Sequence, residues 1–219
     1  RSESGQCRNF IAISQMVKKD ILKHYHCPQE NITVVYNGVD LKRFHPDNKN
    51  RQNIRKELGI PENAVLILLI GSGFERKGLK PLLQATQYLR SEDWRLVIMG
   101  KGKWSQYLKF APENLRSRII HKEPVPEIEK YYSAADIFAL PSIYEPFGNA
   151  NLEALATGLP VITTRHCGAA DIIQHKLNGL IVENPESVKE IADNINTLFD
   201  PDLRRSMSQN ARTLAENFS

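Results

Sequence analysis

From Ala64 onward, short apolar runs alternate with amphipathic segments, and this alternation narrows the fold more than any other feature. AVLILLIGS (64–72) is a continuous run of strand length, and LKPLLQATQYL (79–89) then spaces its apolar residues as a helix does. WRLVIMG (94–100) reads as a second strand, followed by a helix around Trp104 to Phe110. Further strands are expected at 118–121, 136–142, 160–164 and 178–184. Helices are expected at 127–135, 149–157, 169–174, 186–198 and 201–216. A strand covered on both faces has no side that must be polar, so its sequence is an unbroken apolar run. Six such runs separated by helices predict an α/β fold with a doubly wound, parallel, six-stranded, Rossmann-like sheet.

The first sixty residues follow a different pattern. NFIAIS (9–14) reads as a strand with no βαβ unit before it, and a basic amphipathic helix is expected at 15–26. ITVVYNGVD (32–40) carries an Asn-Gly turn, and RQNIRKEL (51–58) is a helix closed by Gly59. The expected organisation is a tail of a further domain plus its connection over residues 1–30, and a ligand-binding domain over 31–219.

Composition excludes several classes. An apolar fraction of 41% and a charged fraction of 25% are ordinary for a globular domain. No apolar run approaches the roughly 18 residues of a membrane span. Cys7, Cys27 and Cys167 lack metal-ligand spacing and read as free thiols of a reducing, cytoplasmic compartment. Lys18, Lys19, Lys23, His24 and His26 form a local basic cluster. A solvated helix face is its first reading, and a peripheral contact with an anionic membrane or an acidic ligand its second. Nucleic acid is not expected as a partner, because the other basic residues are scattered and not interleaved with aromatics.

In open doubly wound sheets, ligands bind beyond the carboxyl ends of the strands where the strand order reverses. With strand order 3-2-1-4-5-6 that crevice lies between the strands at 65–70 and 136–140, beneath the loops GSGFERKG (71–78) and PSIYEPFGN (141–149). The first loop is neither a Walker loop nor GxGxxG. Its glycines, Gly73 among them, permit close backbone approach, and Arg76 and Lys77 would neutralise a diphosphate. In EPFGNANLEALATG, Asn149 is expected as the N-cap of a helix whose free N–H groups point at an anion, with Leu152, Leu155 and Ala156 as its buried stripe. Glu145 and Glu153 stand eight positions apart around that helix start, with no metal-binding cluster beside them. A carboxylate accepts from two adjacent hydroxyls, as a sugar presents them. Anion and sugar sites together describe a nucleotide-sugar pocket.

His121 and His166 each follow a strand; a satisfied histidine is the first reading of His121 and a ligand the second, while His166 lies in a loop within reach of the crevice. Trp94 and Trp104 open a strand and a helix, which favours packing over sugar stacking.

The motifs NGVD (37–40), GSGFERKG (71–78), YSAADIFALPS (132–142), EPFGNANLEALATGLPVITT (145–164) and CGAADII (167–173) run in order along nearly the whole chain. In them the chain resembles the C-terminal, donor-binding domain of retaining GT-B glycosyltransferases of family 4, most of all the bacterial lipopolysaccharide-core glucosyltransferase type. The resemblance implies that Glu145 contacts the transferred sugar and is important for catalysis, and that Glu153 holds the nucleotide ribose. It implies that Phe147, Gly148 and Asn149, with Asn151 on the same segment, meet sugar hydroxyls and phosphate. Lys77 would hold the donor diphosphate and Arg76 share it, and backbone atoms of the loop around Lys122 to Val125 would read the base. Many members carry an arginine where this chain has Ser72, so Arg76 or Arg43 must supply that cation or it is missing. The implied reaction is metal-independent and cofactor-free transfer of a hexose, glucose from UDP-glucose foremost, to a glycan or glycolipid acceptor bound by an N-terminal domain. The isolated chain is expected to bind donor weakly and to transfer little. A GT-B nucleotide-sugar epimerase and a non-catalytic nucleotide-sugar-binding module are the alternatives.

Overall fold

The structure, a computed structural model, describes residues 9–219; Cys7 lies outside them. Two short strands, β1 (Phe10–Ala12) and β2 (Ile32–Val34), pair in parallel on either side of helix α1 (Gln15–His24). This pairing carries hydrogen bonds across residue 30. The main sheet contains β3 (Val65–Ile70), β4 (Trp94–Met99), β5 (Ile119–Lys122), β6 (Ile137–Leu140), β7 (Val161–Thr164) and β8 (Gly179–Val182). Its strands are parallel and lie in the order β5-β4-β3-β6-β7-β8, so the order expected from the sequence is the order found. The direction of winding reverses between β3 and β6, where Ile67 faces Ile137.

The helices are α2 (Asn48–Glu57), α3 (Leu79–Ala85), α4 (Trp104–Leu108), α5 (Ile128–Ala134), α6 (Asn149–Ala156), α7 (Val188–Thr197) and α8 (Pro201–Ala215). Helix α2 starts earlier than 51 because the Asp47 carboxylate caps it, accepting from the Asn50 N–H at 3.0 Å. The helix expected over 79–89 stops at Ala85 and tightens into a 3-10 turn at Thr86–Tyr88, and the one expected over 169–174 is a 3-10 turn at Gly168–Asp171. In α1 the basic residues divide. Lys18 turns inward to donate to the Ile32 carbonyl at 2.6 Å, while Lys23 and His24 end the helix where its negative dipole end favours them. Among the described residues no helix is long and apolar enough to cross a membrane.

At the edge where β3 and β6 begin, Asp136 organises the entry to the sheet. Its Oδ2 accepts from the Leu66 N–H at 2.7 Å, and its two oxygens pair with Arg51 (2.7 Å) and Arg55 (3.1 Å). Arg55 is buried and also donates to the carbonyls of Pro61 and Ala64, which fastens α2 to the sheet. Burial lowers the Arg55 pKa and the Asp136 charge opposes it. The 3-10 turn Glu216–Phe218 at the other end of the chain returns to the NGVD loop, where the Val39 N–H donates to the Phe218 carbonyl at 2.8 Å. Tyr36 lies against both Phe147 (centroids 6.0 Å apart) and Phe218 (6.1 Å).

Candidate functional site

At the carboxyl end of β3 and β6 lies an open cleft of about 570 Å³. Its walls come from the loop after β3 (Gly71, Ser72, Arg76, Lys77), the loop after β6 with the first turns of α6, and Ile13 and Asn37 of the N-terminal segment. The crevice expected at the reversal point is therefore present, and it is bounded by both expected loops.

Gly78 brings these loops together. Its φ is +69°, and a Cβ there would lie 1.9 Å from the Pro141 carbonyl oxygen, so only glycine allows the contact. Across the contact, Arg76 accepts the Ile143 N–H on its carbonyl at 2.9 Å. Its guanidinium reaches the Tyr144 carbonyl (3.2 Å) and Glu145 Oε2 (2.6 Å). The buried Lys77 ammonium donates to the same Glu145 oxygen. Glu145 is itself fixed by its backbone, donating to the His166 carbonyl (3.0 Å) and accepting from the Gly168 N–H (2.9 Å). Gly168 must be small, because a Cβ would meet the Pro146 carbonyl oxygen at 2.1 Å.

Helix α6 begins at Asn149, and its N-cap is Gly148 instead of Asn149. The cap falls one residue before the expected Asn149 for a geometric reason. Gly148 has φ +85°, and a Cβ on it would press on Asn151 and Cys167 at 2.9 Å, so the turn into the helix is one that glycine alone makes easily. Asn149 Oδ1, freed from capping, accepts from Asn37 Nδ2 at 2.6 Å. The first N–H groups of α6 have no carbonyl within the helix to bond, and Asn149 and Ala150 line the cleft.

Glu153 sits one turn further along, at the far end of the cleft, and accepts from the Tyr132 hydroxyl at 2.7 Å. Burial raises the Glu153 pKa, against the lowering effects of the Tyr132 hydrogen bond and the Arg43 charge. The Tyr132 hydroxyl is pushed well up by burial and by the Glu153 charge. Of the two cations considered as substitutes for an arginine at Ser72, Arg76 stands at Glu145. Arg43 is engaged by Glu129 (3.1 Å) and the Pro126 carbonyl (2.9 Å). Ser72 Oγ accepts from the Lys101 N–H at 3.1 Å.

The remaining expected residues divide into those at the cleft and those away from it. Phe147 lines the cleft, yet its carbonyl is already taken by the Ala169 N–H at 2.8 Å. Gly73 lies in a neighbouring hollow that shares Arg76 with the cleft. Asn151 is buried beneath the loop, donating to Thr163 Oγ1 (3.4 Å) and Cys167 Sγ (3.2 Å). Lys122 ends β5 with its ammonium on Glu57 at 3.1 Å, and Val125 packs at the margin of the core; neither side chain lines the cleft. His121 is the satisfied histidine of the first reading, in contact with the Gly100 carbonyl at 3.0 Å and stacked on Trp104 at 5.1 Å. His166 is exposed and Trp94 is buried in β4. Burial raises the Cys167 thiol to about 11, which leaves it unreactive at neutral pH.

Two contributors escaped the sequence reading. Tyr132 opens the quoted motif YSAADIFALPS, but nothing in the pattern says that its hydroxyl meets Glu153 across two elements. Ser14 caps α1 by accepting from the Val17 N–H (3.1 Å) and donates to the Pro146 carbonyl at 2.7 Å, so it props the Glu145 loop from below. Its position just before a helical pattern was the available signal. Together the residues form a cleft with two cations and a helix start around Glu145, and a hydrogen-bonded carboxylate at the opposite end.

Residues 50–214 match the family model of the glycosyl transferases group 1, and residues 2–43 match that of Glycosyltransferase Family 4. The chain spans about half the length of the curated relatives it matches. It covers 54% of an uncharacterized glycosyltransferase of Methanocaldococcus jannaschii, at 30% identity over 92% of this chain. It covers 50% of a D-inositol 3-phosphate glycosyltransferase of Corynebacterium efficiens, at 33% identity over 91% of this chain. Among solved structures, WaaG, a glycosyltransferase involved in lipopolysaccharide biosynthesis, superimposes with a TM-score of 0.85 at 27% identity, over 94% of this chain and 58% of that one. Anabaena HepE in complex with UDP-glucose shares the fold, with a TM-score of 0.84 at 23% identity over 96% of this chain and 59% of that one.

Proposed function

The chain belongs to the glycosyl transferases group 1, and from that premise we propose that it is the donor-binding part of a retaining hexosyltransferase. The donor in this reading is a UDP-sugar, UDP-glucose foremost, and the acceptor is a hydroxyl of a glycan or glycolipid held by a further domain. The observation that carries the reading is the meeting of Arg76 and Lys77 on Glu145 beside the start of α6. A diphosphate entering there is met by both cations and by the first N–H groups of the helix. The cations then exchange the Glu145 carboxylate for phosphate oxygens, and the freed carboxylate accepts from a hydroxyl of the transferred sugar. Glu153 accepts from the ribose at the other end. Two fold relatives support this reading, since HepE was solved with UDP-glucose and WaaG is involved in lipopolysaccharide biosynthesis.

In this reading the acceptor hydroxyl attacks the anomeric carbon on the face the diphosphate leaves. The bond from that carbon to the phosphate oxygen breaks with its electron pair, the new glycosidic bond forms, and the hydroxyl proton passes to the departing phosphate. Lys77, Arg76 and the α6 start carry the charge that a metal would otherwise neutralise, in positions fixed before the reaction. The enzyme works in the cytoplasm, where nucleotide-sugars are made. Calorimetric titration of the chain with UDP, UDP-glucose and GDP-mannose tests the donor assignment. UDP and UDP-glucose should bind and GDP-mannose should not; binding of the guanine donor alone overturns the assignment. Robust sugar transfer by the isolated chain would overturn its reading as one part of a longer enzyme.

A further inference from the structure

We propose that the chain carries a second, saccharide-binding site beside the donor cleft, in the cavity between α3, α4 and the turn before α7. Its ligand is a neutral, hydroxyl-rich glycan, the part of the acceptor remote from the reacting hydroxyl. The inference rests on the glycosyl-transfer reading above.

The cavity measures about 610 Å³, larger than the cleft itself. That is room for a saccharide of a few residues. Its apolar surface comes from Pro81, Tyr107, Phe110 and Ile143, and Ile143 is 39% exposed. Its polar surface has one consistent feature. Among the described residues the side chains of half-buried Gln84 and of exposed Gln106, Glu75 and Glu186 make no hydrogen bond or ion pair with protein, and all four line one cavity. Each amide offers both donors and an acceptor, and each carboxylate offers acceptors only. The ammonium groups of Lys80 and Lys109 lie over the Phe110 ring, at 5.1 and 5.3 Å from its centroid. The ring thus holds two donors at the cavity wall instead of letting them swing into solvent.

The charge balance selects the ligand class. Two carboxylates oppose two ammonium groups, so an anion gains little here, in contrast to the Arg76–Lys77 end of the cleft. A ligand with apolar C–H faces between hydroxyls that both donate and accept uses every group in the lining. The location ties this ligand to the reaction. Glu75, Gln106, Tyr107 and Ile143 also line a hollow of about 590 Å³ that contains Arg76, and Arg76 lines the donor cleft. The cavity and the cleft share no lining residue, and the hollow between them gives an extended acceptor a path past Arg76.

Amide shifts of the isotope-labelled chain test the proposal, with maltotriose and chitotriose as probes, UDP to fill the cleft and inorganic phosphate as the anion control. The expected result is that millimolar trisaccharide moves the amides of Gln84, Gln106 and Tyr107 whether or not UDP is present. The double variant Gln84→Ala with Gln106→Ala should weaken this on the order of tenfold, with unchanged Tm and UDP affinity. Shifts confined to the cleft and abolished by UDP overturn the proposal. So do stronger shifts with phosphate than with saccharide, and so does the absence of any shift with both saccharides. UDP titration followed at Gly148 and Asn149 reports separately on the donor site, so its failure sinks the donor reading and leaves the saccharide arm to be judged on its own signals.

Discussion

Two carboxylates in this molecule each hold two cations, at opposite ends of one sheet. Asp136 stands where β3 and β6 begin, with Arg51 and Arg55; Glu145 stands where they end, with Arg76 and Lys77. The charge count is the same, and the difference lies in what else the cations touch. The Arg55 guanidinium also donates to the carbonyls of Pro61, Glu62, Ala64 and Ala134, so its terminal nitrogens are committed to the fold. The Lys77 ammonium has three N–H groups, and among the described residues its hydrogen bond is to Glu145 alone. Spare donor capacity beside an open cleft separates a cluster that can take a ligand from one that holds the chain together.

The largest test of this contrast is Asp136→Asn. It leaves Arg55 buried without its counter-ion, and breaking a buried pair in this way costs about 3–5 kcal/mol. Urea unfolding should show the loss, and UDP affinity of the folded protein should not change. A stability loss below about 1 kcal/mol, as for a surface pair, would remove the distinction. At the other end, Lys77→Met keeps the buried stem and deletes the donors. UDP affinity should fall on the order of a hundredfold, while Tm moves little because Arg76 still holds Glu145. A large fall in Tm with intact UDP binding would make Lys77 structural.

A smaller effect of unusual sign is expected for Glu145→Gln. Glu145 competes with an incoming diphosphate for both cations, so its neutralisation should strengthen UDP binding by about 1 kcal/mol. UDP-glucose should gain less, because the contact of the carboxylate with the sugar is lost, and transfer by the full-length enzyme should fall. Calorimetry with the two ligands separates these effects. Weaker UDP binding would show that Glu145 positions the cations more than it competes with them.

The entry cluster and the exit cluster were not equally legible in the sequence. The strands and their order could be read because a sheet buried on both faces demands apolar runs such as VLILLI and IFAL, and crossover helices leave few ways to arrange them. Both loops of the cleft followed from that order. Arg76, Lys77, Glu145 and Glu153 were legible as residue types, but their mutual pairing was not. It depends on the approach of Gly78 to Pro141, a contact between loops 63 positions apart, from 78 to 141. The start of α6 at Asn149 was legible, but its cap was placed one residue late because Asn is a good cap in general, whereas this turn needs a left-handed residue, Gly148. Asp136 was read only as the opening of a strand. Its role depends on Arg51 and Arg55 arriving from a helix 81 residues away from it along the chain at Arg55.

Glu153 supplies the control that the comparison needs, a third carboxylate with a tyrosine hydroxyl in place of cations. Burial raises its pKa, so in the window above the ordinary carboxylate range the folded chain holds a proton that the unfolded chain has released. Stability from this group is complete below the unfolded value and is lost as pH rises through the raised one. Glu153→Gln removes that loss, so Tm at neutral pH should rise by a few degrees. The gain should vanish below about pH 4, where the carboxyl is protonated in both states. Tyr132→Phe should act in reverse, since it deletes the hydrogen bond that opposes the burial effect. Thermal melts of both variants across pH read these signs directly. A lower Tm for Glu153→Gln at neutral pH would mean that this carboxylate is held as favourably as the ones paired with cations at the two ends of the sheet.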